Sequence, residues 1–92
     1  MHSKIVKRKE LLALLDMDEE FLALLEREEI ISVCSEEGYS DEDADAARLA
    51  KLLMRDLDVN LPGVEVILHM RRNMIEMQHR FREVLEELSR RM

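Results

Sequence analysis

Ile67, Met70, Met74, Met77, Phe81, Val84 and Leu88 follow one another at alternating intervals of 3 and 4 residues. That is a helical a/d repeat held for three heptads. Asn60 is placed to cap such a helix, and Pro62 falls in its first turn, where the missing N–H costs nothing. The spacing predicts one helix from Leu61 to about Arg90, roughly 45 Å long at about 1.5 Å per residue. Val64, Leu68, Ile75 and Leu85 widen its apolar face. The segments before it are too short to cover a rod of that length. Its distal half is therefore expected to pair with a second chain, making Ile67, Met70, Met74, Met77, Phe81, Val84 and Leu88 the expected dimer interface. The seam does not fix the direction of pairing, because methionine-rich seams pack adaptably.

Ahead of that rod the patterns are short. Leu11, Leu12, Leu14 and Leu15 predict a helix over about Lys9–Leu15. Asp16-Met17-Asp18 interrupts it. Either aspartate can cap a second helix, with Glu19 and Glu20 well placed at its N-terminal dipole. That helix carries Phe21, Leu22, Leu24 and Leu25 and runs to about Glu28. Two short helices joined by three or four residues form a helix-turn-helix unit. The β-branched stretch Ile30-Ile31-Ser32-Val33-Cys34, a turn at Ser35-Glu36-Glu37-Gly38 and a return at Tyr39 predict a small β-hairpin, or wing. Ser40-Asp41-Glu42-Asp43 resembles a capping box with Asp43 in place of the usual Glu. A third helix is expected over Asp41–Leu57, facing inward with Ala44, Ala47, Leu49, Leu52, Leu53 and Met54. Asp58-Val59-Asn60 breaks it.

A chain of 92 residues suits one fold unit with a modest core. The expected architecture is mostly α. A basic N-terminal tail spans 1–8, a winged helix-turn-helix domain spans 9–60, and a long C-terminal dimerisation helix spans 61–92. No apolar run approaches the ~20 residues of a membrane span, and the basic N-terminus lacks the apolar stretch of a signal peptide. The single Cys34 forms no internal disulfide, which points to a reducing cytoplasm and a buried structural thiol.

Charge is unevenly divided. Residues 11–47 carry thirteen acids against the single base Arg27, while the chain as a whole has a net charge of −7. With only three aromatic residues, Phe21, Tyr39 and Phe81, there is no platform for stacking bases. A protein that holds DNA through phosphates should not carry this charge.

Glu26-Arg27-Glu28-Glu29-Ile30-Ile31 resembles the E-R-E-G-L-[IL] stretch of MerR-type winged helix-turn-helix proteins, with Glu29 where that pattern has Gly. Gly38-Tyr39 resembles the wing's return, and Asp45-Ala46-Ala47-Arg48-Leu49 resembles the D-[VL]-x-R-L helix. Arg55-Asp56-Leu57-Asp58-Val59-Asn60-Leu61-Pro62-Gly63-Val64 resembles the R-D-L-G-V-N-L-[PA]-G-[VI] signature of the CbpM-like chaperone modulators, with Asp58 at its first Gly. The resemblance covers about residues 9–90. It implies dimers joined by an antiparallel coiled coil of their last helices. It also implies either promoter binding, as in MerR-type and heat-shock-repressor-like regulators, or binding and restraint of the J-domain of a DnaJ-like co-chaperone. That J-domain presents a basic helix.

Charge separates these readings. In the DNA-binding pattern [ST]-x-x-T-[IL]-R-[YF]-Y-E-R-x-G-L, the phosphate-contacting Arg falls on Ala23 and the second aromatic on Leu25. The basic residue usual after the wing's Tyr is Ser40. Five carboxylates of the second helix, Glu19, Glu20, Glu26, Glu28 and Glu29, would face phosphates without releasing counterions. A cationic protein surface suits them instead. The expected partner-binding residues are Asp18, Glu19, Glu20, Ala23, Glu26, Arg27, Glu28 and Glu29, with the acidic cap Asp41, Glu42 and Asp43. Met17, Leu22 and Leu25 are candidate apolar anchors.

No chemistry-bearing constellation accompanies them. His2, His69 and His79 lack metal-pair spacing. The paired cysteines of MerR-type metal sensors are missing. Gly38 and Gly63 form no phosphate loop, and no His or Lys turns a carboxylate pair into an acid–base set. The sequence therefore predicts no enzyme, no cofactor, no metal, no small-molecule effector and no membrane partner. The leading expectation is a J-domain-binding modulator. The alternatives are a DNA-binding regulator and a plain dimerisation or adaptor module.

Overall fold

The computed structural model describes residues 4–35 and 38–92. Helices α1 (Arg8–Leu14) and α2 (Glu19–Arg27) lie within a residue or two of their expected bounds. Each closes by the same device. After α1, Asp16 turns to φ 55°, Met17 N–H reaches back to Leu12 O at 2.7 Å, and Asp16 N–H reaches Ala13 O at 3.3 Å. After α2, Glu29 turns to φ 58°, Ile30 N–H bonds Leu25 O at 2.9 Å, and Glu29 N–H bonds Glu26 O at 3.1 Å. A left-handed residue lets the last free carbonyls find donors, although glycine is the residue such a turn favours.

The second of these turns overturns the expected hairpin. It swings Ile30 and Ile31 into the core, where both are buried. No strand forms over Ile30–Cys34, because its apolar pair is spent on packing against α2. Tyr39–Ser40 (β2) instead pairs antiparallel with Ile5–Val6 (β1), Val6 opposite Tyr39 and Ile5 opposite Ser40. Part of the segment expected as a basic tail is thus a strand. The apolar pair Ile5-Val6 is too short to signal itself among lysines, and its partner lies far along the chain. Where the hairpin was expected, the described residues hold one isolated bridge, Ser35 to Gly38, with Cys34 N–H on Gly38 O at 2.9 Å. Gly38 has φ 149°, and a Cβ there would stand 2.2 Å from Val6 O, so the loop crosses β1 only on a glycine. Glu36, Glu37 and His2 lie outside the described residues.

Helix α3 (Asp41–Lys51) starts on Ser40, whose Oγ accepts from Asp43 N–H at 3.1 Å. It does not continue as α-helix to Leu57. A π-helical turn spans Leu52–Asp56, Asp58 takes φ 54°, and Val59 N–H reaches back to Leu53 O at 2.9 Å. The wider turn rotates the face. Leu53 is buried, Met54 and Leu49 are half-buried, and Leu52, expected inward, is exposed. Ala44, Ala46, Ala47 and Ala50 are all buried, so α3 approaches its neighbours along a face of small side chains.

Helix α4 (Leu61–Arg91) is capped by Asn60, whose Oδ1 accepts from Gly63 N–H at 2.9 Å. Val64 and Leu68 enter the core cluster formed by Leu11, Leu15, Leu22, Leu25 and Tyr39. Beyond Arg71 every residue of α4 is exposed. The fold is mostly helical, with a rod projecting from a small body, and its extents are 53 × 30 × 19 Å.

Candidate functional site

Hydrogen bonding divides the expected partner-binding residues into two sets. Asp18 caps α2, accepting from Phe21 N–H at 3.0 Å, and pairs with Arg55. The Arg55 guanidinium also lies 5.4 Å from the centre of the Phe21 ring. The backbone donor, with Arg55 beside it, holds the Asp18 carboxyl below the usual carboxylate range. Glu26 accepts from Tyr39 Oη at 3.1 Å and faces Arg8 at 3.6 Å, while Arg8 donates to Tyr39 Oη at 3.4 Å. Burial and the adjoining carboxylate push the Tyr39 phenol up. This clip ties α1, α2 and β2 together. Asp43 takes Ser32 N–H at 3.0 Å, holding the segment after α2 onto α3. Asp18, Glu26 and Asp43 are therefore bound internally and do not belong to a free acidic face.

The others remain on the surface. Glu19, Glu20, Ala23, Arg27, Glu28, Glu29 and Glu42 are exposed, and Asp41 is half-buried with its N–H on Lys4 O at 3.1 Å. Among the described residues, no hydrogen bond or ion pair engages the side chains of Glu19, Glu20, Glu28 or Glu29. Beside α2 a shallow groove runs between Glu20 and Arg27 on one side and Arg55 on the other, with Phe21, Leu24 and Met54 as its apolar floor. Of the candidate anchors, Leu22 and Leu25 are fully buried, and Met17 is 64% exposed. Leu24 and Met54 sit at the boundary of their apolar faces, so periodicity alone did not mark them as groove residues.

The α4 stripe is uncovered. Ile67 is half-buried against the body, and Met70, Met74, Met77, Phe81, Val84 and Leu88 are all exposed, Phe81 to 65%. Cys34 is exposed, not the buried thiol expected, and its N–H bonds Gly38 O at 2.9 Å. His79 lies 2.9 Å from Glu83 one turn along α4, and His69 is exposed. Among the described residues no group of three or more His, Cys, Asp or Glu is placed to hold a metal ion, and no helix is long and apolar enough to cross a membrane. No family model matches the chain, and neither a curated protein nor a solved structure matches it.

Proposed function

We propose that this chain is a non-enzymatic, CbpM-like modulator that binds the basic helix of a DnaJ-like J-domain through α2. The observation that carries this is the split among its acids. Asp18, Glu26 and Asp43 build the fold, while Glu19, Glu20, Glu28 and Glu29 stay exposed and, among the described residues, unengaged, with Glu20 on the rim of the apolar groove beside α2. Unpaired carboxylates steer a cationic partner, and the floor of Phe21, Leu24 and Met54 supplies the contact that steering alone does not. The likeness to MerR-type winged helix-turn-helix chains gains support from two left-handed residues. Glu29 and Asp58 adopt the backbone that glycine favours, and they occupy positions where the family patterns carry Gly.

A purified J-domain should bind at low salt and lose affinity steeply as salt rises. Reversing Glu19, Glu20 and Glu28 to Lys should abolish that binding. Glu26 is left intact because its loss would break the Tyr39 clip. Unchanged affinity in the triple variant refutes the α2 interface, and tight duplex binding at physiological salt would replace this reading with the regulator.

The same proposal includes self-association through α4. A helix with six exposed apolar residues at heptad spacing has no cover among the described residues of its own chain. Met74→Glu with Phe81→Glu should sediment as a monomer at concentrations where the native protein does not. Equal sedimentation of the two refutes the seam.

A further inference from the structure

The groove beside α2 is not uniformly acidic. Glu20 and Arg27 both line it. They are seven residues apart in sequence, which puts them on one flank of α2, two turns and about 10.5 Å apart. Both are exposed, and neither side chain has a hydrogen bond or ion pair among the described residues. The facing wall adds no free cation. Arg55 pairs with Asp18 and lies 5.4 Å from the centre of the Phe21 ring, so its guanidinium is already engaged. Ala23 stands between Glu20 and Arg27, and its methyl is too short to close the flank. The groove is therefore dipolar. It has a free carboxylate toward the start of α2, a floor of Phe21, Leu24 and Met54, and a free guanidinium at the end of α2.

A polybasic helix fits only half of this arrangement. One of its cations meets Glu20, but the next along the groove meets Arg27, and like charges then face each other across the contact. A helix with a base and an acid seven residues apart satisfies both ends. Apolar residues at the third and fourth positions between them cover the floor.

We propose that Arg27 is a specificity-determining residue, which pairs with a carboxylate of the docked helix two turns from the base that pairs with Glu20. This rests on the α2 docking proposed above and adds the sign pattern of the occupant and its direction along α2. The outlying Glu19, Glu28 and Glu29 draw a cationic partner in, and Arg27 then rejects cationic helices that carry no acid at that place.

The test is the affinity of a purified DnaJ-like J-domain for three folded variants: Arg27→Glu, Arg27→Gln, and the exchanged pair Glu20→Lys with Arg27→Glu. Attraction by net charge alone makes the first two bind more tightly, because each is more acidic, and leaves the exchanged pair, whose net charge is native, unchanged. The pairing predicts the opposite. Arg27→Glu and the exchanged pair should each bind about tenfold more weakly, and Arg27→Gln about threefold more weakly. A lysine-rich helical peptide with no acid should instead bind Arg27→Glu more tightly than native. Tighter or unchanged J-domain binding by Arg27→Gln overturns the role of Arg27 and leaves the α2 interface standing. Weaker binding of the lysine-rich peptide by both Arg27 variants also overturns it, because the loss would not depend on the partner's acid. A native chain that does not bind the J-domain overturns both the pairing and the interface.

Discussion

Glu29 and Asp58 hold φ of 58° and 54°, and each ends a helical segment by donating the turn that reverses the chain. An L residue there costs about 1–2 kcal/mol, because its Cβ crowds the following carbonyl. Glycine removes that crowding but surrenders about 0.5–1 kcal/mol to its greater freedom in the unfolded chain. The difference leaves each substitution, Glu29→Gly and Asp58→Gly, stabilising by about 0.5–1 kcal/mol. Neither carboxylate makes a hydrogen bond or ion pair among the described residues, so no contact is lost. The two turns share no partner, and the effects should add to about 1–2 kcal/mol. For a domain of this size that is a rise of roughly 5–10 °C in Tm. Thermal and urea unfolding by circular dichroism at one fixed protein concentration reads it. Glu29→Ala and Asp58→Ala are the controls, removing the same charges while keeping the Cβ. Equal stability of the glycine and alanine variants would refute the backbone argument. Glu29→Gly should also weaken J-domain binding while it raises stability, since it deletes one of the four exposed carboxylates, Glu19, Glu20, Glu28 and Glu29, on and just after α2.

Tyr39→Phe should cost about 0.5–1.5 kcal/mol by removing the hydroxyl shared by Glu26 and Arg8, and an unchanged urea midpoint would show that the clip contributes nothing. Gly38→Ala should cost more, about 2–4 kcal/mol, because the new Cβ meets Val6 O; retention of native near-UV dichroism and Tm would contradict the crossing described. Asp18 is held ionised in the folded state by Phe21 N–H and Arg55, so its folded value lies below its unfolded one. Its contribution is complete above about pH 4 and is lost as acid carries the pH down through the folded value. Asp18→Asn keeps a cap but should flatten that acid limb, and superimposable acid-unfolding curves would remove Asp18 from the account.

The helices and caps were legible because each rests on local rules. Ser40 and Asn60 cap as their positions predict, Asp18 is the one of two candidate aspartates that caps α2, and the 3–4 spacing over 67–88 marks α4 almost to its last residue. The sheet was not legible. Two-residue strands carry no periodicity, and the true partner of Tyr39–Ser40 sits before α1, beyond any local window. The π turn escaped for a similar reason: nothing in Leu52–Asp56 distinguishes it from one more turn of α-helix, yet it turns Leu52 out. In the candidate site, counting carboxylates located the acidic face but could not separate structural from free ones. Asp18, Glu26 and Asp43 find partners in Arg55, Tyr39 and Ser32, contacts set by tertiary packing.

The way α4 is rooted has a mechanical consequence. Val64 and Leu68 form a fulcrum inside the core, and the twenty residues beyond Arg71 make a lever arm of about 30 Å that no described residue of its own chain covers. A tilt of about 10° at the fulcrum sweeps the tip through about 5 Å. Small adjustments among α1, α2 and α3 are thus delivered enlarged at Leu88, so this rod magnifies what happens at its base.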